Sequence, residues 1–141
     1  MTAIEARADL ANAPAVVHKL VQWLETTEVP DGLFADDLFT DFTMPIWRLQ
    51  AGDRAGGLAL RAHGHPSPGK VVRLRYDPTP SGFVLEFEEE WDERGDHWYC
   101  REIVRADVRD GAICQLSAYC TGDWDSAQGA RHQAEVRLIQ P

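Results

Sequence analysis

Between Ala13 and Glu25 the apolar residues recur at helical spacing. Val16, Val17, Leu20, Val21, Trp23 and Leu24 fall in one arc at about 100° per residue, so the segment predicts an amphipathic helix. Pro14 suits its first turn, and His18 and Lys19 fall on the polar side. Val29-Pro30-Asp31-Gly32 is a turn signal. Leu33–Phe39 (LFADDLF) then reads as a short helical piece and Thr40–Leu49 as extended chain, with Pro45 marking an edge strand or a bulge. Residues 52–64 predict a weak helix, because Gly56 and Gly57 both count against it. His65-Pro66-Ser67-Pro68-Gly69 is a loop.

From Lys70 onward the period changes to two. Lys70–Asp77 alternates, and Pro78-Thr79-Pro80-Ser81-Gly82 turns the chain. Phe83–Asp92 puts Phe83, Leu85, Phe87, Glu89 and Trp91 on one face. A turn at Glu93–Asp96 leads into His97–Arg109, where Trp98, Cys100, Glu102, Val104, Ala106 and Val108 share a face. Asp110-Gly111 is a strong two-residue hairpin signal, and Ala112–Asp123 is the last long strand. Asp125 with Gln128 resembles a capping box opening a short helix to about Ala134. Helices followed by long antiparallel strands is an α+β order, and no linker or repeat divides residues 1–141.

Composition narrows the function. The chain has 141 residues, one domain's worth, and 44% of them are hydrophobic, enough for a core without metal or disulfide staples. A formal charge of −9, with no offsetting Lys/Arg cluster, makes phosphate backbones and anionic membranes poor partners. Nucleic-acid and membrane binding are therefore not expected. Cys100, Cys114 and Cys120 lie in strand-like apolar surroundings and read as free thiols, which fits the cytoplasm. No apolar run reaches the ~20 residues of a membrane span, and the N-terminus has acids rather than the apolar stretch of a signal peptide.

The sequence resembles the nuclear transport factor 2-like (NTF2-like) superfamily, in particular its SnoaL-like polyketide cyclase and ketosteroid isomerase group. The likeness rests on the amphipathic helix followed by LFADDLFTDFTMP, on the weak helix before long hairpin-linked strands, and on the closing DGAICQLSAYCTGDWD. It implies a cystatin-like roll, a cone-shaped mixed or antiparallel sheet wrapped around the N-terminal helices. It further implies a small apolar ligand, no cofactor, and a homodimer formed through outward sheet residues such as Tyr99 and Ile103. The group hosts isomerases, cyclases, dehydratases, epoxide hydrolases and non-catalytic binders, so fold alone does not select a reaction. Strict spacing puts Phe42 at the isomerase's base position, beside the acid Asp41, and Leu20 where the isomerase carries its oxyanion tyrosine.

Glu102 is the sharpest candidate for chemistry. It interrupts an apolar strand face, where desolvation would raise its pKa toward the range useful for general acid or base work. Glu89 interrupts the neighbouring face and could couple to it. Asp41 is the second candidate for proton transfer. Tyr119, similar to the family's last-strand tyrosine, is the candidate for oxyanion stabilisation. Phe42, Trp47, Trp98 and Leu116 are expected to contact ligand, with His63 at the pocket mouth. His63-Gly64-His65 lacks the acid or cysteine pattern that would make it a metal motif, so no metal is expected. A buried Asp–Arg–Asp set would indicate epoxide hydrolysis, but Arg101 and Arg105 lie on the strand face opposite Glu102. A pocket holding aromatics alone would instead indicate a binding protein.

Overall fold

The computed structural model describes residues 10–141. Helix α1 (Ala15–Thr26) is the predicted amphipathic helix, and its six apolar residues are all buried. Strands β1 (Phe34–Met44) and β2 (Trp47–Ala51) form a hairpin, followed by helix α2 (Arg54–Gly64). Four strands come next: β3 (Lys70–Thr79), β4 (Gly82–Glu93), β5 (Asp96–Arg109) and β6 (Ala112–Cys120). Helix α3 (Ser126–Glu135) follows, with Asp125 accepting a hydrogen bond from the Gln128 backbone N–H. The six strands form one curved, unclosed sheet in the order β2-β1-β6-β5-β4-β3, in which only β1 and β6 run parallel. This is the α+β cone expected from the sequence.

Tight turns fix the strand register. Arg94-Gly95 and Asp110-Gly111 both have positive φ at both positions, the backbone of a two-residue turn whose twist matches that of the strands. Register then decides faces. On β4 and β5 the predicted apolar parities point into the cone, with Phe83, Leu85, Phe87, Cys100 and Ala106 buried. The opposite parity carries outward ion pairs such as Arg101–Glu86.

Two sequence readings are corrected. Leu33–Phe39 is not helical: Phe34–Met44 is one strand, paired in register with β6 from Phe39 to Thr43. Its alternation of Leu38, Thr40 and Phe42 against Asp37, Phe39 and Asp41 fits a half-buried strand better than a helix turn. Pro45 lies in the β1–β2 hairpin turn, where no ladder N–H is needed, rather than within a strand.

Helix α2 forms despite its two glycines because one of them allows a close approach. A Cβ on Gly57 would lie 2.7 Å from Thr40 Cγ2, so the missing side chain brings the helix against β1. Asp53 caps the helix through the Gly56 N–H. At its far end, Glu25 of α1 accepts hydrogen bonds from the Gly69 and Val71 N–H groups, fixing β3 beneath the helices.

Candidate functional site

An internal cavity of about 230 Å³ opens between the helices and the sheet. Its apolar wall comes from Trp23 and Leu24 of α1, Phe42 and Met44 of β1, Phe87 and Val104. Its polar groups gather at one end: Arg61, His65, Glu102, Cys120 and Asp123.

Arg61 lies on the cone-facing side of α2, and its guanidinium sits over the Trp23 ring at 5.7 Å. Its two terminal nitrogens donate to Glu89 at 2.6 and 3.0 Å, a bidentate pair with both side chains nearly out of solvent. Burial alone would push Glu89 up, but the facing Arg61 charge outweighs it and holds the carboxyl well below the usual range. Glu102 has the opposite fate. Burial pushes it well above the usual carboxylate range, and the negative charge of Glu89 and a hydrogen bond to it push the same way. The ionised form is thus favoured at Glu89, the partner of Arg61, and the protonated form at Glu102 beside it. Glu102 Oε2 is sealed from solvent and has no hydrogen-bond partner in the protein.

Cys100 is buried next to this pair, with its sulfur 3.9 Å from Glu89 Oε2. Its hydrogen bond to Cys120 and its burial raise the Cys100 thiol, while Cys120, accepting that bond and the Gly122 N–H, is lowered. His65 lies one turn beyond Arg61. Its N–H bonds the Arg61 carbonyl, its ring packs on Trp91 with centroids 4.2 Å apart, and Nε2 meets Asp123 Oδ1 at 3.3 Å. Donor atoms of His65, Cys100 and Asp123 lie within 4.8 Å of one another, as do those of Cys100, Glu102 and Cys120. Within the first set His65 contacts Asp123, and within the second the Cys100 thiol donates to Cys120.

The sequence candidates divide by strand face. Glu102 and Phe42 line the cavity, and Glu89 is joined to it through Arg61. Leu116 faces inward but is packed into the core. Asp41 does not reach the cavity, because its parity points outward. There it bonds Arg48 at 2.6 and 3.0 Å and Gln50 at 3.2 Å, and the Arg48 guanidinium lowers its pKa. Tyr119 is likewise on the outer face and 56% exposed, so its hydroxyl faces away from the cavity. Trp47, at the tip of the β1–β2 hairpin, is 64% exposed. Trp98 is held away from the cavity, with Nε1 donating to the Glu93 carbonyl and Arg94 over its ring. His63 is exposed, and the histidine at the cavity is His65. Tyr99, expected on a free outer face, packs against the Trp124 ring and donates to Glu88.

Arg61, His65 and Asp123 were not singled out as a set by the sequence. The signal for Arg61 lay in α2, where Gly57, Leu58, Arg61 and His65 share one helical stripe facing the cone. The strand arginines do lie outside as expected, yet a carboxylate–arginine–carboxylate set forms through this helix arginine instead.

No family model matches the chain, and no curated protein sequence does. Solved structures match its fold. An NTF2-like protein from Anabaena variabilis is 19% identical over 86% of this chain and 90% of its own, with a TM-score of 0.59. A polyketide cyclase candidate from Xanthomonas campestris is 16% identical over 74% and 86%, with a TM-score of 0.56. A phenazine biosynthesis-related protein from Pseudomonas aeruginosa is 15% identical over 99% and 94%, with a TM-score of 0.55.

Proposed function

The chain has the NTF2-like fold, and on that frame we propose that it is a cofactor-independent acid–base enzyme acting on a compact, largely apolar molecule, with Glu102 as the acid. The carrying observation is a buried carboxyl at the polar end of an apolar cavity, pushed up by burial and by the charge of Glu89, with one oxygen that the protein leaves without a partner. Such a group hydrogen-bonds or protonates a substrate oxygen as negative charge develops on it. Glu89 supports this role by holding the adjacent negative charge, and Arg61 by fixing Glu89 in place. The reactions that use an acid of this kind are isomerisation, aldol-type cyclisation, dehydration and epoxide opening.

Size limits the substrate. Pockets for drug-sized ligands begin at ~300 Å³. A cavity of about 230 Å³ suits one or two rings better than a whole steroid or polyketide skeleton. The alternative, a non-catalytic binder, would need only the apolar wall. The convergent Arg61, Glu89, Glu102, His65 and Asp123 favour the enzyme. Three free cysteines support a cytoplasmic setting. Among the described residues no helix is long and apolar enough to cross a membrane.

The test is deuterium incorporation next to the carbonyl of small ketones such as 2-tetralone and 1-indanone in D2O, with styrene oxide opening followed in parallel. Wild type is expected to accelerate one of these over buffer, and Glu102→Gln to lose ~100-fold or more of that gain. Equal rates in the two proteins would remove Glu102 from the mechanism. Binding without any acceleration would select the non-catalytic alternative.

A further inference from the structure

We infer that Cys120 is a nucleophile that captures conjugated ketones, compact enones of one or two rings, by covalent addition in the cavity, with Cys100 donating to its sulfur and Glu102 meeting the ketone oxygen. This capture goes beyond the acid–base turnover proposed above and shares with it only the Glu102 carboxyl.

The three cysteines differ in where their sulfurs sit. Cys114 is not part of the cavity wall, and its thiol donates to the Asp107 carbonyl at 3.4 Å, which engages its proton. Cys100 is fully buried. Cys120 lines the cavity. It ends β6 on the inward parity, after Leu116 and Ala118, and is the cross-strand partner of Glu102. Its sulfur accepts the Gly122 backbone N–H at 3.3 Å and the Cys100 thiol. Two donors on one sulfur stabilise the thiolate, which is the form that attacks. The Cys100 hydrogen bond lowers Cys120 most; burial and the negative charges of Asp123 and Glu89 oppose it, and the balance leaves the thiol below its ordinary value.

Glu102 supplies the second contact. The sulfurs of Cys100 and Cys120 and a carboxyl oxygen of Glu102 lie within 4.8 Å of one another. Glu102 Oε2 is sealed from solvent and has no partner in the protein. In a conjugated ketone the electrophilic carbon and the carbonyl oxygen are three bonds apart, so one molecule lying on the apolar wall meets sulfur and carboxyl together. Cys120 loses its proton to water, and its sulfur forms a bond to the β-carbon. The carbon–carbon π pair moves toward the oxygen as an enolate, Glu102 gives that oxygen its proton, and water returns one to Glu102. The enol then relaxes to the saturated ketone, and nothing is oxidised or reduced.

The probe is 2-cyclohexen-1-one, followed by intact-protein mass and peptide mapping. At neutral pH wild type is expected to gain one enone, on Cys120, about tenfold or more faster than the same thiol in the urea-unfolded chain. The rate should level off as the enone concentration rises, and cyclohexanone, which fills the cavity without reacting, should slow it. Cys120→Ser should still bind cyclohexanone by calorimetry and take up no enone over the same time. Cys100→Ala, a change at a positioning residue, should slow the addition about tenfold with the adduct still on Cys120, and Cys100→Ser, which keeps a donor, should restore most of the rate. Glu102→Gln keeps a donor at the ketone oxygen but no acid, and should also slow the addition about tenfold without moving it. Addition to Cys114 first, addition to Cys120 no faster than in urea, or an unchanged rate in Cys120→Ser would overturn the capture. Equal rates in Cys100→Ala and wild type would remove Cys100 from it. An adduct on Cys120 without any ketone exchange would leave the capture standing and remove the acid–base turnover alone.

Discussion

Two glutamates on adjacent, paired strands are driven in opposite directions around one arginine. Glu89 has the guanidinium in contact and is lowered; Glu102 is raised by burial and by Glu89, against a weaker pull from Arg61. The sign of the resulting pH dependence follows from this. The folded-state pKa of Glu102 is raised above the unfolded value of ~4.3. Between the two, the folded state holds a proton that the unfolded chain has lost, so this contribution is complete at low pH and is lost as pH rises through the folded value. Glutamine does not titrate. In urea unfolding at pH 5, 6.5 and 8, Glu102→Gln should therefore gain steadily on wild type as pH rises. A difference that stays constant across the three would contradict a raised Glu102. The sequence carried Glu102 because strand parity is local, but it could not carry its state, which Arg61 sets from another element. Asp41 and Tyr119 show the converse: both have chemistry-bearing side chains, and a single step of parity puts both outside.

At the scale of elements, α2 decides what the cavity contains. It delivers Arg61 and His65 on one stripe, and it reaches β1 only because Gly57 has no side chain. Thr40 beneath it is buried and stiff at χ1, so it has little room to yield. Gly57→Ala gains ~1 kcal/mol of helix propensity. It meets an overpacking cost of ~1–3 kcal/mol. Net loss of stability is expected in urea unfolding, together with a drop in the Glu102-dependent rate as Arg61 is displaced; a variant stabilised with unchanged rates would contradict this packing. Periodicity made α1, β3 to β6 and α3 legible. It failed at Leu33–Phe39, where two acids in a short window mimic a helix start while pairing with β6 makes a strand. Of the two glycines that weakened the α2 reading, Gly57 is explained by a contact with Thr40 that no local pattern reveals.

For the whole molecule, the cone accounts for what the chain keeps inside, and its outer face for what it can meet. Ile103 and Tyr119, cross-strand partners, remain exposed there, while the Trp124 ring packs against Tyr99. We propose that a second copy of the chain pairs on this outer face, as the family resemblance implies. Sedimentation should then give twice the chain mass, and Ile103→Asp with Tyr119→Asp should halve it; a monomeric wild type would exclude the pairing. The resemblance reached the fold from residues spread over nearly the whole chain. It could not reach the reaction, because its isomerase base position holds Phe42 and the acid arises on a different strand.

The central claim is a Glu102 carboxyl raised above every other glutamate, and carbon-13 NMR of the glutamate side-chain carboxyls reads it directly. With glutamate labelled, one carboxyl resonance in wild type should keep its protonated position to higher pH than all the others and be missing in Glu102→Gln. Ionisation of every glutamate together in the ordinary carboxylate range would contradict it.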